Sequence, residues 1–104
     1  MKIFLILTTL LSFQIFASDA VIIDVRTPGE FNAGHIENSK NIEWQEIEKI
    51  KDSINKNQKI YLYCRSGNRS QKATDILIKI GYDNVENLGS LYEAANFLQM
   101  KIIK

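Results

Sequence analysis

Cys64 is the single cysteine in a chain of 104 residues, and it opens the run Cys64-Arg65-Ser66-Gly67-Asn68-Arg69-Ser70. A thiol followed by two arginines, hydroxyl side chains and a glycine can bind and carry an anion. If a strand ends at Cys64 and a helix begins near Ser70, the chain between them turns at the positive end of a helix dipole. Several backbone N–H groups are then unpaired, and Gly67 permits the tight path that gathers them into an anion nest. The anion can be the protein's own, a thiolate or persulfide on Cys64. Amide donors together with Arg65 and Arg69 depress a thiol pKa from its free value of about 8.5. The same arginines can hold an anionic substrate against the sulfur. The plainer alternative is a buried strand-end cysteine beside solvated arginines.

The flanking sequence supplies the elements such a loop needs. Residues 59–64 (KIYLYC) alternate Ile60, Leu62 and Cys64 with Tyr61 and Tyr63, the pattern of a strand. After the loop, Ala73, Ile76, Leu77 and Ile80 follow helical spacing, and Gly81 is placed to end that helix. Upstream, residues 21–26 (VIIDVR) are β-branched and nearly all apolar, as in a strand buried on both faces. Thr27, Pro28 and Glu30 then fit an N-cap, an N1 proline and a capping-box acid, which predicts a helix from Pro28 to Ala33 stopping at Gly34. Residues 40–44 can hold a second, very short strand. Trp44, Ile47, Ile50 and Ile54 recur at helical spacing and are read as core. A strand at 84–88 and a helix over 90–100 complete the chain. Strands alternating with helices predict an α/β fold in three layers, a small, mostly parallel sheet with helices on both faces. Sites in such sheets form at the carboxyl ends of the strands, where Asp24 and Cys64 both fall.

The first residues stand apart from this domain. Lys2, an apolar run from Ile3 to Phe16, and small residues at Ala17 and Ser18 have the order of a secretory signal peptide. The run is shorter than the ~20 residues of a spanning helix. We therefore expect a signal peptide at residues 1–17, a domain at 18–104, and a periplasmic or secreted protein not held at the membrane after cleavage. Cleavage takes Lys2 from the 13 basic residues, leaving 12 against 12 acidic ones. That balance excludes a general nucleic-acid or anionic-membrane binder, so any attraction to anions is local. A lone cysteine forms no internal disulfide, and in an exported protein an idle thiol is a liability. Cys64 and His35 are too few for an ordinary zinc site, and no metal is expected.

Residues 23–36 (IDVRTPGEFNAGHI) followed by 64–70 (CRSGNRS) resemble the single-domain rhodanese, or thiosulfate sulfurtransferase, family. The likeness runs from Val21 to about Leu98 and looks nearest to the small exported rhodaneses of bacterial envelopes. It implies that Cys64 is the nucleophile, and that residues 65–70 bind substrate. The thiolate attacks the outer sulfur of thiosulfate, releases sulfite and becomes a persulfide. The sulfur then passes to cyanide or a thiol acceptor, with no cofactor. Amides of residues 65–69 stabilise the persulfide, and Arg65 and Arg69 bind the sulfonate end. Asp24, Arg26, Glu30 and His35 also match family positions and are read as support for the site. Arg26 and Glu30 are expected to pair across the strand–helix turn, Asp24 to accept hydrogen bonds near the loop, and His35 to be a hydrogen-bonded turn residue. The sequence departs from the family at Asn38 and Ser39, where Gly-Ala is usual, at Glu43 in place of proline, and at Ser90 in place of a second glycine. A frequent tryptophan is missing from the last helix.

Two other functions compete. Cysteine phosphatases and arsenate reductases carry C-x5-R loops, which need arginine at the sixth position after cysteine; here that residue is Ser70. A persulfide carrier that delivers sulfur to a protein partner would have the same loop as an enzyme. A redox sensor would lack a resolving cysteine in the chain.

Overall fold

The computed structural model describes residues 20–104. The expected signal peptide, residues 1–17, lies outside them. The elements in order are β1 (Val21–Asp24), α1 (Pro28–Ala33), β2 (His35–Ile36), β3 (Lys40–Asn41), a 3-10 helix (Trp44–Asp52), β4 (Ile60–Cys64), α2 (Asn68–Lys79), β5 (Val85–Ser90), α3 (Leu91–Leu98) and β6 (Ile102–Ile103). Four strands form a sheet in the order β3-β1-β4-β5, and every neighbouring pair is parallel. β2 and β6 make a separate antiparallel pair that the sequence did not announce.

Each face of the sheet is covered, as a parallel sheet requires. On one face Ile23, Leu62, Cys64 and Ile60 pack with Ile47 and Ile50 of the 3-10 helix and with Ala73 and Leu77 of α2. On the other, Ile22 and Tyr63 pack with Ile36, Leu91 and Ala94. Alternation along β4 sends Leu62 and Cys64 to the first face and Tyr63 to the second. The thiol thus grows out of the larger core.

Two helices depart from expectation. The segment from Trp44 is a 3-10 helix ending at Asp52, and its apolar residues show why. Trp44, Ile47 and Ile50 are spaced by threes, and a helix of three residues per turn stacks them on one side. α2 begins at Asn68, two residues earlier than expected near Ser70, because Gly67 takes a left-handed conformation (φ +96°) and turns the chain straight into the helix. It closes on Gly81 as expected. The Gly81 amide donates to the Ile78 carbonyl, and the Tyr82 amide to that of Leu77.

β4 and β5 fall out of step beside the thiol. Leu62 pairs with Asn87 and Cys64 with Ser90, so β5 holds one extra residue there, a bulge. Gly89 supplies the left-handed turn of the bulge (φ +91°). Ser90, where the family often has a second glycine, caps α3: its hydroxyl accepts from the Glu93 amide, and the Glu93 carboxylate accepts from the Ser90 amide.

Candidate active site

Cys64 ends β4, and its side chain is buried. The Gly67 amide donates to its sulfur at 2.9 Å, and the Ser70 hydroxyl lies 3.4 Å from it. Burial pushes the Cys64 thiol up. The Ser70 hydroxyl and the amides of Ser70, Ser66 and Gly67 outweigh that effect and bring it below its ordinary value. The loop proper is only Arg65–Gly67, and Asn68, Arg69 and Ser70 are already the first turn of α2. Nearly all the donors aimed at the sulfur are therefore fixed by backbone geometry.

The two arginines of the loop differ. Arg69 reaches across to Glu30 and makes a two-pronged pair, Nη1 to Oε1 at 2.7 Å and Nη2 to Oε2 at 3.0 Å. Arg65 is exposed and makes no hydrogen bond or ion pair among the described residues. Glu30 is held in turn by Thr27, whose amide and hydroxyl both donate to Oε1 at 3.1 Å. The capping-box acid of α1 is thus also the anchor of the sulfur-bearing loop.

This arrangement corrects the expected pairing of Arg26 with Glu30. Arg26 turns back onto Asp24, with Nη2 2.6 Å from Oδ2, Nε 3.0 Å from Oδ1 and the backbone amide 2.9 Å from Oδ1. Its Nη2 also donates to the Gly34 carbonyl at 2.6 Å. Asp24 is fully buried and accepts its side-chain hydrogen bonds from Arg26. Competition explains the outcome: a buried carboxylate must be paired, and Asp24 is two residues from the guanidinium. Glu30 is then left for Arg69. His35 donates or accepts through Nδ1 at 2.8 Å from the Phe31 carbonyl. A carbonyl only accepts, so Nδ1 carries the proton, and the ring stacks on Phe31 at 3.7 Å.

Glu30 has a measurable signature. The Arg69 hydrogen bonds, opposed by burial and helped by Thr27, lower its pKa from 4.5 to about 2. A carboxylate with a depressed folded pKa stabilises the fold above its unfolded value and loses that contribution as pH falls through the folded value. Urea midpoints are expected to drop between about pH 5 and pH 2, and Glu30→Gln should flatten that drop. An equal slope in the variant would show that Glu30 does not carry it.

Sequence reading missed Asn87. Its Oδ1 accepts from the Ser70 hydroxyl at 2.6 Å and from the Gly89 amide at 3.0 Å, while Nδ2 donates to the Gly67 carbonyl at 3.1 Å. It lies on a different strand, 17 residues beyond Ser70, and only the sheet order brings it beneath the loop. A groove of about 430 Å³ adjoins the same loop, lined by Arg65, Glu30, Gly34, Leu91, Tyr92 and Ile102 among others. No group of three or more His, Cys, Asp or Glu side chains among the described residues could hold a metal ion, and no helix among them is long and apolar enough to cross a membrane.

The family model for the rhodanese-like domain matches residues 10–94. The chain belongs to the rhodanese-like family. It is 36% identical over 93 residues to the thiosulfate sulfurtransferase PspE of Escherichia coli, covering 88% of each chain. A solved E. coli structure described as a rhodanese with anions superposes with a TM-score of 0.72 at 32% identity, over 82% of this chain and 98% of that one. The putative sulfur carrier protein YrkF of Bacillus subtilis is 37% identical over 67 residues, which span 64% of this chain and 36% of that protein. The three-layer α/β architecture is thus the rhodanese fold, and sulfur transfer is the chemistry of its relatives.

Proposed function

We propose that this rhodanese-like domain is a thiosulfate sulfurtransferase working through a persulfide on Cys64. One observation carries the reading: the sulfur sits at the carboxyl end of a parallel strand with a backbone amide at 2.9 Å and a hydroxyl at 3.4 Å. Such donors favour an anionic sulfur, and the amide is already in place before it forms. The Cys64 thiolate attacks the outer sulfur of thiosulfate. The S–S bond of the donor breaks, its electron pair leaves with sulfite, and Cys64 carries the transferred sulfur as an anionic persulfide. Cyanide or a thiolate then attacks the terminal sulfur, taking it as thiocyanate or a new persulfide and returning the Cys64 thiolate.

The roles of the arginines divide. Arg65, exposed and unpaired, meets the sulfonate end of the donor. Arg69, committed to Glu30, keeps the first turn of α2 at the right height above the sulfur. Asp24, Arg26 and His35 hold the strand–helix turn beside it. Phosphate chemistry is disfavoured, because Ser70 occupies the position where a C-x5-R loop places its arginine. Residues 1–17 act as a signal peptide, and the domain works in the periplasm or outside the cell.

The likeness to a putative sulfur carrier favours a second reading, in which the persulfide is discharged only onto a partner protein. Intact mass measurement with thiosulfate, followed by cyanide, separates the two. A gain of one sulfur atom that cyanide removes as thiocyanate at a catalytic rate is the expected outcome. A persulfide stable to cyanide would point to a carrier. No mass gain at all would overturn both.

A further inference from the structure

We propose that Asn87 is a positioning residue of this site: it holds the hydroxyl proton of Ser70 while Cys64 is a thiol and yields it to the sulfur when the sulfur is anionic. The proposal rests on the reading of Cys64 as a working anion given above.

The Ser70 side chain is fully buried, with Oγ 2.6 Å from Asn87 Oδ1 and 3.4 Å from Cys64 Sγ. A hydroxyl has one proton and cannot donate to both. An amide oxygen only accepts, so the short contact is Ser70 donating to Asn87. The Cys64 S–H is then free to donate to Ser70 Oγ. Once the thiol loses its proton, the sulfur can only accept. The Ser70 O–H turns to it, and Asn87 Oδ1 keeps the Gly89 amide at 3.0 Å. Stabilising the anion through Ser70 therefore means giving up the shorter of its two hydrogen bonds.

Neighbouring contacts decide which end of the Asn87 amide faces Ser70. Nδ2 donates to the Gly67 carbonyl and to Gln71 Oε1, each at 3.1 Å. Gln71 is itself oriented, donating Nε2 to Asp75 at 2.9 Å. Flipping Asn87 would set its NH2 against the Gly89 amide and its oxygen against two acceptors. The chain Asp75–Gln71–Asn87–Ser70–Cys64 thus has one polarity. Through Nδ2, Asn87 also grips the residue whose amide meets the sulfur, so two of the donors to Cys64, the Ser70 hydroxyl and the Gly67 amide, pass through one side chain. The bulge in β5 makes this possible, because the extra residue folds the Gly89 amide back onto Oδ1. The charged groups around the sulfur are the Arg69–Glu30 pair, Arg65 and the Asp24–Arg26 pair, and none of them hydrogen-bonds to Ser70 or Asn87.

The test is the pH dependence of Cys64 alkylation by iodoacetamide, read as an apparent midpoint, in a double-mutant cycle with Ser70→Ala. Asn87→Asp keeps the acceptor but adds charge and puts an oxygen where Nδ2 faced the Gly67 carbonyl, so it should raise the midpoint by about one unit with Ser70 present. With Ser70→Ala the charge and the Gly67 contact still act, so a rise persists but should be smaller. Asn87→Ala adds no charge. It frees the Ser70 proton and should displace the midpoint downward, by at least about threefold in the dissociation constant relative to its effect in Ser70→Ala. Any loosening of Gly67 acts in both backgrounds and cancels. Circular dichroism checks that each variant is folded. Shifts that are equal with and without Ser70 in either series overturn the proposal. Alkylation needs no sulfur donor. An intact cycle in a protein that never forms a persulfide would therefore sink the proposed function alone, and additive shifts in an active sulfurtransferase would sink the role of Asn87 alone.

Discussion

Cys64→Ser is expected to abolish persulfide formation and to lower thiocyanate production by at least about 10³-fold, the scale on which a covalent nucleophile is lost. The loop is preserved in this variant. Serine is the smallest change at a fully buried position, and the Gly67 amide and Ser70 hydroxyl can still meet its oxygen. Donors that lower a thiol from an already accessible value leave an alkoxide out of reach, so the nest remains but nothing in it can attack. Stability should therefore stay within about 1 kcal/mol of the parent, which separates lost chemistry from lost structure. The check is intact mass after thiosulfate treatment, beside a urea titration. A variant that still gains one sulfur atom would show that the sulfur is held elsewhere, and the mechanism would fall.

The largest effect on stability should come from Arg26→Met. The Asp24 carboxylate is completely buried and the Arg26 side chain is 8% exposed, so the pair is shielded from water. Methionine removes the guanidinium and leaves Asp24 with the Arg26 amide as its one remaining donor from that residue, while the Gly34 carbonyl loses its partner. Stranding one member of a buried pair costs about 3–5 kcal/mol. A domain of this size holds on the order of 5–15 kcal/mol in all. Arg69→Met is the comparison. Its pair with Glu30 is about 29% exposed on each side, and exposed pairs contribute on the order of 1 kcal/mol or less. Urea midpoints measure both. Equal losses would mean that burial does not set the energy of the Asp24 pair. Activity should order the two variants the other way per folded molecule, because Arg69 is the one that holds the loop.

Departures from the family pattern are absorbed locally. Asn38 stands where glycine is usual and adopts φ +67°, a left-handed conformation that asparagine tolerates better than most residues. Ser39, in place of alanine, donates its hydroxyl proton to the Ile36 carbonyl and lies 3.1 Å from the Tyr63 hydroxyl. Neither change touches the sulfur.

Elements whose cause is local were legible from the residues alone. The Thr27–Glu30 capping box, the glycine end of α2, the alternation of β4 and the cysteine at its end each depend on residues a few positions apart. The α/β class followed from their order. Even the 3-10 helix was latent in the three-residue spacing of Trp44, Ile47 and Ile50, although helical periodicity alone does not separate it from an α-helix. The partnerships were set by packing. Asp24, Arg26, Glu30 and Arg69 can be matched in more than one way by charge, and the burial of Asp24 chose among them. β2 and β6 are two residues each and carry no pattern until the chain end returns to lie beside His35 and Ile36. Asn87 is an ordinary strand asparagine until the β4–β5 register and its bulge set it under Ser70 and Gly67. Hydrogen bonds across a sheet depend on register, and register is a property of the packed chain rather than of any segment of it.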